Sequence, residues 1–299
     1  LRMDNMQAFV ITAYQNPDYL STLVNSITQE GNHAYVHIDA KSTMDVQDLT
    51  LNNPELVSVY KQYAVNWGGY NHLLAIIFLL KQIPDGVEYV HTISGQDALV
   101  RSKAQFDSFF SNQEGAFMSL TPLEDTEIGV QRRVEGYNLF PNADSRKPVH
   151  KILNRGMWLI RKALRMNKRQ IGGFDRIYKG MIWVSLPYAQ VKYVLQYIED
   201  NPSYMKRLKH TLLPEEFFFQ TILMNSPYKD TIVPHNLRYT LWIEKHGSAP
   251  AILDEKDYAG IIDSNCYFAR KIVMPYSKQL LNLIEKARSA PMQHYSGEY

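Results

Sequence analysis

Two adjacent acids, Glu215 and Glu216, stand where a carboxylate could move a proton. They follow Pro214 and precede an apolar run at residues 217–223, and this pattern predicts that a helix begins here. A carboxylate at the rim of a site can act as general base toward a hydroxyl group. The alternative is structural, because acids in a first helical turn also suit the helix dipole.

A second group of polar residues, His37-Ile-Asp39-Ala-Lys41-Ser42, ends a predicted buried strand. Asp39 could accept hydrogen bonds from a uracil or a ribose there, and Lys41 could meet a phosphate or an acid. The alternative is an ordinary turn that begins with aspartate.

A glycine pair follows an aromatic residue in Trp67-Gly68-Gly69-Tyr70, directly before a predicted helix at residues 71–81. Glycine lets the backbone come close to a ligand, and the amides of a helix N-terminus favour anions. A tight turn packed by the tryptophan is the alternative. No Gly-Lys-Ser/Thr follows and no G-x-G-x-x-G occurs, so neither a Walker loop nor a dinucleotide fingerprint is present.

The sequence predicts no metal site. Ser94-Gly95-Gln96-Asp97 follows a predicted strand but supplies only one acid, and there is no D-x-D. Glu255-Lys-Asp257 has a similar spacing, but its pattern is typical of a helix start. The single cysteine, Cys266, excludes an internal disulfide, a cysteine-rich zinc site and an iron–sulfur cluster.

Cations on predicted late strands could do the work of a metal. Arg238 lies at the start of one such strand, and Arg270 and Lys271 lie in another. Fixed cations can stabilise a diphosphate leaving group as its charge develops. Solvated cations at strand ends are the alternative.

These residues must be positioned by an α/β fold. Apolar, β-branched runs predict strands at residues 7–13, 34–38, 57–60, 88–93, 116–120 and 182–186, with late strands at 238–242 and 266–273. Helical patterns follow from Pro17 and at 71–81, 104–110, 187–199 and 277–288. This alternation predicts a single domain over residues 1–299 with a mostly parallel central sheet flanked by helices, whose ligands bind at the carboxyl ends of the strands.

The charge of the chain is concentrated in a basic band, which we define as residues 145–174. The band holds nine of the 32 Lys and Arg and no Asp or Glu, so the remaining 23 basic residues face 30 acids elsewhere. Within 152–169, Leu153, Met157, Ile160 and Leu164 share one face of a predicted helix, with Arg155, Lys162, Arg165 and Arg169 opposite.

Such a helix could contact an anionic membrane through residues 151–169. The alternatives are a core-packed helix with a solvated basic face, and a nucleic-acid surface. The latter is disfavoured because the basic residues are confined to one segment.

Location is predicted from what the sequence lacks. It contains no run of about 18 apolar residues, no signal-peptide pattern at its start and no usable Asn-x-Ser/Thr. With the lone thiol, these features favour a bacterial cytoplasm, with peripheral contact at the inner face of the cell membrane.

Taken in chain order, the segments resemble the family of core-2/I-branching β-1,6-N-acetylglucosaminyltransferases and peptide O-xylosyltransferases, glycosyltransferase family 14. The matching segments are Ala13-Tyr14, residues 37–42, 67–70 with the following helix, 94–97, 180–186, 214–223 and 268–271. Residues 125–175 show no match, and the chain lacks the cysteines of the animal enzymes.

The resemblance implies a GT-A-type fold, a UDP-sugar donor, inversion at the anomeric carbon and no cofactor or metal. It implies that Asp39 contacts uridine, that Glu216 is the general base and that Lys271 and Arg238 hold the diphosphate. The remaining residues assigned to UDP-sugar binding are Ala13, Lys41, Trp67 and Arg270. Those assigned to the acceptor or donor sugar are Ser94, Gln96, Asp97, Glu215 and Trp242.

The expected reaction moves a sugar, GlcNAc-like or xylose, to a hydroxyl of a glycan or lipid-linked glycan. A relative that binds sugar nucleotide or glycan without turnover is the alternative.

Overall fold

The computed structural model describes residues 6–29, 31–166 and 173–289. Its strands are β1 (Gln7–Ala13), β2 (His33–Ile38), β3 (Val57–Tyr60), β4 (Tyr89–Ser94), β5 (Asp97–Leu99), β6 (Ala116–Phe117), β7 (Thr121–Pro122), β8 (Tyr178–Lys179), β9 (Ser185–Pro187), β10 (Ile232–Val233), β11 (Arg238–Thr240) and β12 (Phe268–Arg270). Its α-helices are α1 (Pro17–Thr28), α2 (Tyr70–Leu80), α3 (Lys103–Phe110), α4 (Ile128–Glu135), α5 (Pro148–Ala163), α6 (Tyr188–Asp200), α7 (Pro202–Lys209), α8 (Phe218–Met224), α9 (Tyr258–Asp263) and α10 (Lys278–Ser289).

The central sheet has seven strands in the order β10-β6-β9-β4-β1-β2-β3. Strands β4, β1, β2 and β3 run parallel, as do β10 and β6, whereas β9 runs antiparallel to both its neighbours. The predicted α/β class and the mostly parallel sheet are therefore confirmed. A smaller sheet, β11-β12-β5, carries the late strands, and β7 pairs with β8.

Helices cover both faces of the central sheet because β1 is apolar on both sides. Its Ala8 and Val10 belong to a core shared with α2, α6 and α8, whereas Phe9 and Ile11 belong to a second core with α1 and α3. The alternating side chains of a buried parallel strand produce this arrangement. A third core joins the small sheet to α1, α9 and α10.

The predicted strands at 7–13 and 57–60 are found with the same bounds, and the early helices begin and end within one residue of their predictions, where these were given. Several other predictions were wrong in extent. The strand expected at 116–120 is two residues long, the strand at 182–186 begins only at Ser185, and a 3-10 turn, Pro214–Phe217, precedes α8. The late strands expected at 238–242 and 266–273 are three residues long, Arg238–Thr240 and Phe268–Arg270. The sequence analysis did not place β5, α4 or α7.

The predicted basic helix is α5, which ends at Ala163. Lys168 and Arg169 of the basic band lie outside the described residues. Among the helices of the described residues, none is long and apolar enough to cross a membrane. That residues 1–299 form one domain stays a prediction.

Candidate functional site

The carboxyl ends of β1, β2 and β4 bring three predicted site residues to one edge of the sheet. Ala13 pairs with Ile38 across β1 and β2, and Thr12 pairs with Ser94 across β1 and β4. The backbone amide of Asp39 donates to the Ala13 carbonyl at 2.8 Å. The rule that ligands bind at these ends makes this edge the place to look for a site.

Asp39 and Lys41 hold the neighbouring loop at this edge. Asp39 Oδ1 accepts hydrogen bonds from the amides of Lys41 and Val65 at 2.9 and 3.1 Å. The ammonium of Lys41 donates to the Val65 carbonyl and to Asn66 Oδ1, and it lies 3.6 Å from Asp39 Oδ2. Asp39 Oδ2 is thus the carboxylate oxygen left for a ligand, whereas Lys41 already has protein acceptors.

His37 supports the same loop from the core. Its Nε2 accepts from the Tyr63 amide at 3.0 Å, and burial lowers its pKa to about 4. The imidazole is therefore neutral at physiological pH, and its role is to position the loop.

Trp67 lies at the surface beside the loop, with about half of its area exposed. Its carbonyl accepts from the Ser145 amide, and the Arg146 guanidinium lies 6.0 Å from its ring centre. Gly68 adopts φ +72°, and a Cβ there would lie 3.2 Å from Ser145 Oγ. The turn therefore needs glycine and leaves the indole accessible to a ligand.

The sequence analysis did not select His72 or Trp183. His72 connects the strand ends to Glu215, and Trp183 packs beside it. His72 on α2 lies 3.4 Å from Thr12 Oγ1 through Nε2 and 3.3 Å from Glu215 Oε1 through Nδ1. The His72 ring meets Trp183 edge-on at 5.9 Å. Both residues lie in or next to motifs already singled out, at 67–70 and 180–186, so the motifs were the available signal.

Arg270 continues this network on the other side of Trp183. Its guanidinium stacks 4.5 Å from the Trp183 ring, and Nε lies 3.6 Å from Asp97 Oδ1. Arg270 is only 9% exposed, and its Nε and Nη1 have no hydrogen-bond partner among the described residues. Burial lowers the pKa of this guanidinium, and Asp97 opposes the change. The charge of a cation so placed can stabilise an anionic ligand bound nearby.

Asp97 does not reach the surface, which corrects its assignment to the sugar region. Its side chain is fully buried, and Oδ2 accepts from the Ser94 amide at 2.7 Å. The Gln96 amide donates to Ser94 Oγ, and the Gln96 carbonyl accepts from Ile272 at 2.7 Å. The segment 94–97 is therefore a fixed turn, and Asp97 acts through Arg270.

Arg238 is not available to a diphosphate in this structure. Its terminal nitrogens donate to Ser185 Oγ and to the carbonyls of Thr92, Val184 and Asn236. The guanidinium also stacks on Phe268 at 4.3 Å, and burial lowers its pKa to about 9. All four terminal N–H groups are used by the protein, so Arg238 ties β11 to β4 and β9, contrary to its predicted role.

Lys271 remains as the second cation beside Arg270. It is half-buried, and burial and then the Arg270 charge lower the pKa of its ammonium. Trp242, in contrast, is two-thirds exposed and lies two residues beyond the end of β11.

Glu216 points to a different side from Glu215. Its Oε2 accepts from Arg133 Nη1 at 3.0 Å and lies 3.4 Å from Lys179 Nζ, with a quarter of the side chain exposed. Burial raises the pKa of its carboxyl, and the charges of Lys179 and Arg133 oppose that rise. The Glu216 carbonyl accepts from the Gly180 amide at 2.8 Å, which fixes its backbone.

Arg133 also lines a pocket of about 430 Å³ between α4 and α5. Other lining residues are Arg132, Tyr137, Asn154, Arg155 and Trp158. The Arg132 guanidinium and the Lys162 ammonium both lie over the Trp158 ring, at 5.1 and 5.3 Å. This pocket falls in the segment where the sequence offered no match, and no motif signalled it.

The site thus has two parts, which meet at the two acids. Strand ends with Asp39, Arg270 and Lys271 present a carboxylate oxygen and two cations, and the pocket presents aromatic and polar surface beside Glu216. Within the described ranges, no cluster of three or more His, Cys, Asp or Glu side chains could hold a metal ion.

Comparisons with known proteins match most of the chain. A family model described as Core-2/I-Branching enzyme matches residues 7–261. The chain is 24% identical over 295 residues to rat xylosyltransferase 2 and 26% identical over 257 residues to human xylosyltransferase 1, covering 89% and 80% of this chain. Xylosyltransferase oxt of Drosophila melanogaster is 23% identical over 291 residues, again 89% of the chain.

The matched stretches amount to 32%, 24% and 31% of those three proteins, so this chain spans a third of their length or less. These relatives are animal proteins, and the expected bacterial origin stays a prediction. Because the family model covers most of the chain and the sheet has the expected order of strands and helices, the protein belongs to the Core-2/I-branching enzyme family of glycosyltransferases.

Proposed function

We propose that the protein transfers a sugar from a UDP-sugar to an acceptor hydroxyl with inversion, using Glu216 as general base. The observation that carries this proposal is the divergence of the two acids. Glu215 reaches the strand ends through His72, whereas Glu216 reaches the α4–α5 pocket through Arg133. A base at this junction can take a proton from an acceptor in the pocket while the donor lies over the strand ends.

The donor is proposed to lie along the carboxyl ends of β1 and β2. Asp39 Oδ2 would accept a hydrogen bond from uridine, and the indole of Trp67 offers an exposed surface beside it. The glycine-containing turn and the start of α2 at Tyr70 lie beside it. Glu215 has one buried oxygen, Oε2, without a partner among the described residues, and it could accept from a donor-sugar hydroxyl.

The reaction itself requires the chain to handle one proton and one leaving group. The acceptor O–H gives its proton to Glu216 as its oxygen forms a bond to the anomeric carbon. The bond from that carbon to the diphosphate breaks on the opposite face, and UDP leaves with the electron pair. Arg270 and Lys271 would stabilise the developing charge, because fixed cations in a partly dehydrated site are effective there.

A metal-free mechanism is part of the proposal. It is supported by the absence of a D-x-D sequence and by the adjacent cations Arg270 and Lys271, whose charges can stabilise a diphosphate as a metal ion would. We propose that no cofactor is needed.

The acceptor is proposed to be a glycan or lipid-linked glycan, bound in the α4–α5 pocket. The pocket is lined by the aromatic residues Trp158 and Tyr137 and by polar side chains such as Asn154, and sites for small polar ligands combine such groups. The donor sugar is GlcNAc-like or xylose, and the similarity to xylosyltransferases supports xylose. We place the reaction in the cytoplasm.

The test is UDP release from a panel of UDP-sugars with EDTA present and a set of mono- and disaccharide acceptors. We expect turnover of one UDP-sugar that EDTA leaves unchanged. Turnover abolished by EDTA would contradict the metal-free mechanism. Binding of a UDP-sugar without UDP release from any donor would favour a non-catalytic relative. Tight binding of nucleic acid would favour a nucleic-acid-binding protein.

A further inference from the structure

Helix α5 has a broad apolar face that the described part of the chain leaves uncovered. No side chain of this helix, all of it described, is buried. Five of its apolar residues and two that follow the helix form this face. Their exposed fractions are Val149 54%, Ile152 69%, Leu153 46%, Leu159 51%, Ile160 54%, Leu164 68% and Met166 51%. A contiguous exposed apolar surface of this kind marks an interaction site.

Hydrogen bonds and ring contacts, rather than buried apolar side chains, attach α5 to the rest of the molecule. Asn154 accepts from the Leu139 amide at 3.0 Å and donates to Asn138 Oδ1 at 3.1 Å. His150 stacks on Phe140 at 4.8 Å and contacts the Asp144 carbonyl at 2.9 Å. The core-packed alternative for this helix is therefore wrong.

The helical geometry places three faces side by side. With 100° per residue, His150, Asn154, Met157, Trp158 and Arg161 form the attached face. Lys151, Arg155 and Lys162 form a basic edge next to it. The exposed apolar residues fill the remaining arc of roughly half the circumference, so that the basic edge borders the apolar face.

The basic edge carries charge of one sign. The basic band contains no Asp or Glu, and Lys151, Arg155 and Lys162 of this band lie next to the apolar face. An apolar arc bordered by cations is the pattern of helices that lie in the plane of a membrane interface. A protein partner would need both an apolar groove and acids, whereas an anionic bilayer supplies both properties as a surface.

We propose that α5 docks the enzyme on an anionic lipid bilayer, with its apolar arc among the acyl chains and its basic edge at the headgroups. The docking itself rests on α5 alone. Its consequence rests on the proposed function: Arg155 and Trp158 of α5 also line the pocket beside Glu216, so docking would hold that pocket at the membrane. A lipid-linked acceptor would then reach the pocket more readily than a soluble acceptor.

The experiment is co-sedimentation of the full chain with vesicles of phosphatidylcholine alone or mixed equally with phosphatidylglycerol. We expect binding to the mixed vesicles that is at least tenfold weaker without phosphatidylglycerol and weakens with salt. An apolar variant, Ile152→Ser with Leu159→Ser and Ile160→Ser, should bind at least tenfold more weakly. A basic variant, Lys151→Gln with Lys162→Gln and Arg165→Gln, should do the same.

The matched control removes three cations elsewhere in the chain, Lys81→Gln after α2, Lys192→Gln in α6 and Lys206→Gln in α7, and should bind as the unchanged protein does. Circular dichroism and thermal unfolding establish that each variant folds. Absence of binding to mixed vesicles, or equal loss in the control, would overturn the proposal. So would a concentration-dependent dimer, seen by light scattering, that the apolar variant abolishes while vesicle binding is unaffected.

Discussion

Replacing Arg133 by glutamine should move the acid limb of the pH–rate profile to higher pH. Glu216 must be ionised to act as a base, so the rate falls as pH drops through the pKa of its carboxyl. Burial already raises that pKa, and the Arg133 charge opposes the rise. Removal of the charge therefore raises the pKa further.

The magnitude follows from the contact. Arg133 Nη1 lies 3.0 Å from Glu216 Oε2, and both side chains are about one quarter exposed. A cation at this distance lowers the pKa of a carboxyl by about 1 to 3 units. Partial exposure and the remaining cation, Lys179 at 3.4 Å, place the effect at the lower end. We expect a shift of about one pH unit, equivalent to about 1.4 kcal/mol.

The assay is UDP release across pH, with donor saturating and EDTA present. Arg132→Gln is the matched control, because it removes a neighbouring charge on α4 that stacks on Trp158. It should change acceptor KM and leave the acid limb in place. An acid limb that does not move in Arg133→Gln, or that moves equally in Arg132→Gln, would refute the assignment of Glu216 as the titrating base.

Two further predictions concern stability and UDP binding. Gly180→Ala places a Cβ 2.0 Å from the Ser119 carbonyl and should lower the free energy of unfolding by about 3 kcal/mol. The Cβ of Gly156→Ala meets nothing within 4 Å, so this variant should raise the free energy of unfolding slightly. Urea unfolding of both variants tests this prediction. Arg238→Met should cost about 3 kcal/mol of stability yet leave UDP affinity of the folded protein unchanged, whereas Arg270→Gln should weaken UDP binding about tenfold by calorimetry. A stable Arg238→Met protein that no longer binds UDP would restore the diphosphate role to Arg238.

The central strands could be predicted closely because their residues are buried on both faces. Continuous apolar runs such as β1 leave little choice of structure, and the helices between them have clear starts at proline or glycine. Short strands such as β10 and β5 could not be predicted, since two or three residues are too few to show an alternation of apolar and polar side chains. Their pairing depends on distant segments that only the fold brings together.

The sequence indicated segments that could form a site, but it could not indicate where each side chain points. Adjacent acids on a 3-10 turn point to different sides, and nothing in the letters Glu215-Glu216 says which one meets His72 and which one meets Arg133. Arg238 carried the right charge on the right strand. Its side chain turns inward because the guanidinium donates hydrogen bonds to the carbonyls of Thr92 and Val184. This arrangement depends on how the small sheet packs on the central sheet.

The central claim is that Glu216, rather than Glu215, removes the acceptor proton. UDP release by Glu216→Gln and Glu215→Gln, measured side by side with the same donor and acceptor in EDTA, tests it most directly. Loss of a general base costs about 10²- to 10⁴-fold in rate. We predict that kcat of Glu216→Gln falls by at least 100-fold while UDP binding is retained, and that Glu215→Gln loses less. Full activity of Glu216→Gln, or a larger loss in Glu215→Gln, would contradict the account.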